Sequence, residues 1–226
     1  MAKGPSYRLP FRRRREGKTD YKARKALVIS KLPRVVTRVS LRHMNVQIIE
    51  ATLMGDRVIA SAKSQELRNY DWKTPCGNLP SAYLTGLLCG VRASGKKVKE
   101  AVPDIGLTRP TKGARIFASV KGVVDAGVKV PHSTEKLPSE ERLKGQHIAN
   151  YAEALSSDTE LYERVFSRYL KAKVPPEGIP KQFEASKEKI LSPPKRQKKT
   201  KKKGKVRKVK RGIKKKRKSR RKVEKK

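Results

Sequence analysis

Positive charge decides where this chain can fold. Residues 1–42 hold 14 lysines and arginines against two acids, and residues 193–226 hold 22 against Glu224 alone. Residues 43–192 are close to balance, with 23 basic and 17 acidic side chains. Like charges at the density of the two ends repel one another in a compact state, so a conventional core belongs to the centre. The formal net charge of +39 also calls for a polyanion to offset it. A folded body with two basic arms that reach onto nucleic acid is the organisation expected.

The centre is long enough for one domain with a real core. No apolar run approaches the roughly 20 residues needed to cross a bilayer. The basic N-terminus is not followed by the apolar stretch of a secretory signal. A soluble intracellular protein with no membrane partner is therefore expected. Two cysteines, Cys76 and Cys89, are too few for a disulfide framework or a four-ligand zinc site. His43, His132 and His147 lie far apart and none adjoins a cysteine, so no metal and no cofactor is expected. Whether the two cysteines pair with each other stays open. Gly90–Lys97 fits G-x-x-x-x-G-K, but Lys97 stands where magnesium binding needs Ser or Thr. The segment also ends a helix instead of joining a strand to one. No nucleophile elbow, zinc-helix or dinucleotide motif is present, and no enzyme is expected.

Residues 1–18 carry Gly4, Pro5, Pro10 and Gly17 and no apolar period, which predicts an extended or disordered arm. Thr19 or Asp20 can cap a helix to about Ser30, stopped by Pro33. Residues 34–62 read as three strands in an antiparallel meander. In the first, Val35, Thr37, Val39 and Leu41 point one way, and Arg34, Val36, Arg38, Ser40 and Arg42 the other. Gly55-Asp56 marks a turn before a third strand near Arg57–Ala62. Asn78 caps a helix over 78–94, with Leu84, Leu87, Leu88 and Val91 on one face. A strand within Glu100–Leu107 contains Pro103, which puts it at an edge or a bulge. A second amphipathic helix spans about Gly113–Ala126. Helices fill 139–191, capped at Ser139 and at Ser157 or Asp158, with a third near Pro180.

The fold class expected is α/β: a mixed, largely antiparallel sheet with helices on one face, a helical C-terminal region and basic extensions at both ends. The divisions are 1–33 (arm and short helix), 34–135 (α/β body), 136–192 (helical region) and 193–226 (disordered Lys/Arg tail).

Arginine is the better phosphate fork, so the Arg12, Arg13, Arg14 and Arg15 run reads as a nucleic-acid contact. Arg8, Lys18, Lys22, Arg24 and Lys25 extend that charge, and Arg34, Arg38 and Arg42 carry it onto a strand face. The tail has no aromatic residue to stack on bases, so it should read charge and not sequence. Tyr7, Phe11 and Tyr21 can stack on RNA bases or serve as small apolar anchors.

Several long segments together resemble one family. They are Phe11–Glu16 followed by Thr19-Asp20-Tyr21, Cys76–Leu88, Asp104–Leu107, Asp125–Gly127 before Pro131-His132, and Gly145–Tyr151. Ser40–His43 followed by Gln47 is a further match. The resemblance, over about residues 5–190, is to the large-subunit ribosomal protein L-eighteen in its archaeal form. It implies a structural protein that binds 5S rRNA and anchors it to 23S rRNA in the central protuberance, beside the L-five ribosomal protein. It implies that Arg12–Arg15, Lys22 and Arg24 in the arm, and Arg38, Ser40, Arg42 and His43 on the strand, touch RNA. The tail after Pro193 departs from the family pattern. A general nucleic-acid packaging protein is the alternative; it explains the charged ends but not the central motifs.

Overall fold

Asp20 starts the first long element. Its side chain accepts from the amides of Lys22 and Ala23, at 2.8 and 3.2 Å, and caps helix α2, Tyr21–Ile29. The computed structural model describes residues 4–192, so the tail at 193–226 lies outside the described residues. Within the arm, Arg12–Arg15 form a single helical turn, α1, where an extended or disordered chain was expected.

Three strands follow: β1, Arg34–Val39; β2, Met44–Thr52; and β3, Gly55–Lys63. They pair antiparallel, and a short strand β4, Val102–Asp104, runs parallel to β1. The order β3-β2-β1-β4 makes a mixed sheet, and β4 with its Pro103 lies at one of its two edges. A bulge between Ile48 and Ile49 shifts the register of β2 against β3.

One face of the sheet carries Val35, Met44, Val46, Ile48, Ala60 and Ala62, all buried. Helices α3, Leu79–Ser94, and α4, Arg115–Asp125, cover it. Asn78 caps α3 by accepting from the Ser81 amide at 3.0 Å. The two helices meet backbone to backbone. A Cβ on Gly86 would lie 2.0 Å from the Ser119 carbonyl oxygen, and one on Gly122 would lie 2.3 Å from that of Tyr83. Gly90-to-Lys97 is indeed a helix end: Gly90 packs on α4, and Lys96 donates to the Ile59 carbonyl. Cys76 and Cys89 are both free and buried.

The C-terminal region folds as α5, Glu140–Lys144; α6, Gln146–Ala154; α7, Thr159–Lys171; and α8, Ile179–Leu191. The helix expected from Ser139 breaks at Gly145, which takes φ +89. The site is closed to a side chain, because a Cβ there would sit 2.7 Å from Ile179 Cγ2 and 3.0 Å from Pro80 Cγ. Asp158, not Ser157, caps α7, accepting from the Leu161 amide at 3.1 Å. Phe183 of α8 reaches back to Tyr83 of α3, with ring centroids 5.4 Å apart.

Two strand expectations change. β1 ends at Val39, and Ser40, Leu41, Arg42 and His43 form a turn instead of continuing the strand. Ser40 makes that turn: its amide and hydroxyl both donate to the His43 carbonyl, at 2.9 Å each, and its hydroxyl accepts from the His43 amide at 3.0 Å. Leu41, expected on the same face as the buried Val35, is thereby 95% exposed. Val36, expected on the solvent face, is buried, because β1 is an inner strand with its second face partly covered.

Candidate nucleic-acid interface

The sheet's second face explains which arginines are available. Arg34 is 2% exposed and lies between two acids: Nη2 is 2.9 Å from Asp56 Oδ1 and Nη1 is 3.3 Å from Asp104 Oδ2. Arg24 of α2 reaches the other oxygen of Asp56 at 2.9 Å. Arg38 donates from Nη2 to Asp104 Oδ1 at 3.0 Å and from Nη1 to the carbonyls of Asp104 and Thr37, at 2.9 and 2.8 Å. A ladder Arg24–Asp56–Arg34–Asp104–Arg38 therefore crosses the sheet. Arg34, expected to touch RNA, is removed from the interface: a guanidinium buried between two carboxylates is a structural group. Arg38 keeps a half-exposed side chain, but its guanidinium is held in place. The expectation of three arginines free on one strand face is thus corrected.

The arm is different. Arg8, Arg14 and Arg15 are exposed and make no ion pair among the described residues. The same holds for Lys22 and Lys25 on α2 and for Arg42 at the turn. Arg13 donates from Nε to Thr19 Oγ1 at 2.8 Å, and Arg12 and Lys18 flank Glu16 at 3.7 and 2.9 Å. These are exposed interactions of little energetic weight, which RNA phosphates can replace. The Phe11 and Tyr21 rings pack on each other at 5.1 Å and fasten the arginine turn to the start of α2.

At the turn, Ser40 is occupied by its own hydrogen bonds and acts as a positioning residue. The His43 ring sits beside Gln65, with 3.3 Å between their Nε2 atoms. Arg42 projects from a loop whose backbone is fixed. Arg115 of α4 does part of that fixing, donating from Nη1 to the Gly77 carbonyl at 2.7 Å and more weakly to that of Ser40 at 3.4 Å. Sequence reasoning passed over Arg115; nothing in a helix pattern reveals which distant carbonyl an arginine meets.

The other reactive groups are quiet. Burial pushes the Cys89 thiol up to about 12 and raises that of Cys76. Neither is a poised thiolate. Among the described residues no three His, Cys, Asp or Glu side chains gather to hold a metal. No described helix is long and apolar enough to cross a membrane.

Comparison with known proteins assigns the fold to a family. The family described as ribosomal large subunit proteins 60S L5 and 50S L18 matches residues 5–102 and 91–133. Large ribosomal subunit protein uL18 of Methanococcus maripaludis is 50% identical over 192 residues, covering 85% of this chain and all of the relative. The chain belongs to this family. Its uL18 relative in Aeropyrum pernix is 52% identical over 192 residues, covering 84% of this chain and 90% of that protein. The resemblance carried by the sequence motifs is therefore correct. A uL18-family protein is a structural, non-enzymatic component of the large ribosomal subunit, in the cytoplasm. Its partners are accordingly ribosomal RNA and neighbouring ribosomal proteins.

Proposed function

We propose that this protein binds 5S rRNA and anchors it to 23S rRNA in the central protuberance, next to a protein of the L-five family. The observation that carries this reading is the separation of its cations into two sets. Arg24, Arg34 and Arg38 are committed to Asp56 and Asp104. Arg8, Arg12–Arg15, Lys18, Lys22, Lys25 and Arg42 stay at the surface of the arm, α2 and the turn. The second set supplies affinity by neutralising phosphates and releasing counterions. The Ser40–His43 turn, held rigid at both ends, supplies the fit to one RNA shape. Arg24 and Arg38 position the elements that carry the surface set.

The test is a titration against 5S rRNA at near-physiological salt, with transfer RNA and duplex DNA as competitors. Selective retention of 5S rRNA is expected. Replacing Arg14 and Arg15 by alanine should reduce the slope of log affinity against log salt by about 0.7–0.9 for each phosphate that is no longer neutralised. Equal competition by all three nucleic acids would overturn the reading in favour of general packaging.

A further inference from the structure

A cleft of about 550 Å³ opens between the Ser40–His43 turn and α7. Four cations line it: Arg42 from the turn, Arg68 from the 3-10 helix Ser64–Tyr70, Lys73 from the loop before α3, and Arg168 from α7. Among the described residues no carboxylate lines it. None of the four forms a salt bridge among the described residues, and Asp71, the acid acting on Lys73, is held by Lys189. Four positive groups gathered from four segments, with no internal anion, repel one another unless an external anion joins them.

The walls are built in advance. Arg115 bonds the carbonyls of both Ser40 and Gly77. Gly77 lies so close to the turn that a Cβ would be 2.9 Å from the Leu41 carbonyl oxygen. Asn78 Nδ2 is 3.5 Å from Tyr169 Oη, which places α7 and its Arg168 beside the same loop. Thr74 Oγ1 and His43 Nδ1 are buried in this region and have no hydrogen-bond partner among the described residues. Clefts of about 300–1,000 Å³ take a molecule, not only an ion.

We propose that this cleft binds one nucleotide of a single-stranded RNA segment. Its phosphate lies among Arg42, Arg68, Lys73 and Arg168. Its unstacked base rests against the Ser40–His43 turn and the Pro75–Asn78 loop, within reach of His43 and Thr74. Unpaired, splayed bases are what proteins read in RNA, and arginine offers both a phosphate fork and a stacking plane. The proposal rests on the 5S reading for the identity of the RNA, and it makes α7 part of the RNA interface.

The experiment uses the full chain and 5S rRNA over a salt series, with a hydroxyl-radical footprint of the bound RNA. Lys73→Ala with Arg168→Ala removes two exposed cleft charges that form no salt bridge among the described residues. Lys99→Ala with Lys181→Ala removes two exposed charges elsewhere as the control. The cleft variant should bind about tenfold or more weakly, with a salt slope lower by about 0.7–0.9 for each phosphate released from the cleft. It should also lose one discrete protected patch within a single-stranded loop, while the control keeps it. Equal affinities and equal footprints in the two variants, with 5S rRNA still preferred over transfer RNA, would overturn the cleft and leave the 5S reading standing. If the unaltered protein shows no such preference, both are overturned.

Discussion

Arg34 and Asp104, 70 residues apart in sequence, meet across β1 and β4 with Nη1 3.3 Å from Oδ2. Asp56 completes the enclosure of that guanidinium at 2.9 Å. Removing one partner of such a buried set leaves charge stranded without solvent. Arg34→Ala should therefore cost about 3–5 kcal/mol. Arg38→Ala, at a half-exposed site, should cost about 1 kcal/mol, and Arg42→Ala should stay within about 0.5 kcal/mol. Urea unfolding of the three variants checks the order. Equal losses would show that the ladder has no structural weight.

The α3–α4 crossing gives a second test. Gly86→Ala and Gly122→Ala each push a methyl onto a backbone carbonyl, which cannot swing away as a side-chain tip can. Each should lose about 1–3 kcal/mol or more, despite the better helix propensity of alanine. Gly95 is the contrast: a Cβ there meets nothing closer than 3.6 Å, and its φ is −61. Gly95→Ala should be neutral or stabilising by up to about 1 kcal/mol. Thermal melts of the three proteins would refute the packing argument if all behaved alike.

Burial, and secondarily the charge of Arg142, lowers the pKa of His147 below its ordinary 6.5. A group whose folded pKa is depressed contributes stability that is fully present above the unfolded value and is lost as pH falls towards the folded one. Melting temperature should fall between about pH 7.5 and about pH 5.5, and His147→Gln should flatten that part of the profile. An unchanged slope in the variant would exclude His147 as its source.

Residues 193–226 carry 22 basic side chains and no aromatic. Their deletion should weaken binding to 5S rRNA, transfer RNA and duplex DNA alike and lower the salt slope for each. Competition titrations decide the point: loss of 5S preference in the truncated protein would mean that the tail reads more than charge.

Much of this was legible from local pattern. Alternation located the strands, Asn78 marked a cap and Pro103 an edge strand, but the β2–β3 turn lies at Leu53-Met54, and Gly55-Asp56, expected to form it, begin β3 instead. The failures share one cause, which is that alternation assigns a side to a residue but not what lies over that side. Arg34 and Val36 do lie opposite Val35, yet Asp56 and Asp104 close over that face from elsewhere in the chain. Leu41 kept the alternation but fell in a turn that Ser40 makes with its own hydrogen bonds. Arg68, Lys73 and Arg168 share no local motif, and only the docking of α7 beside Asn78 brings them to Arg42.

The tilted packing of Phe11 on Tyr21 has a kinetic consequence. It hangs the arginine turn on a helix instead of leaving it at the end of a free chain, so the arm is a short tether. If the turn at Arg42 holds RNA as proposed, the arm would meet the same molecule at an effective concentration of about millimolar. Detachment then requires both grips to open within one brief interval. Loosening that hold by Phe11→Ala should then shorten the lifetime of the proposed complex more than it slows its formation, which dissociation kinetics would show.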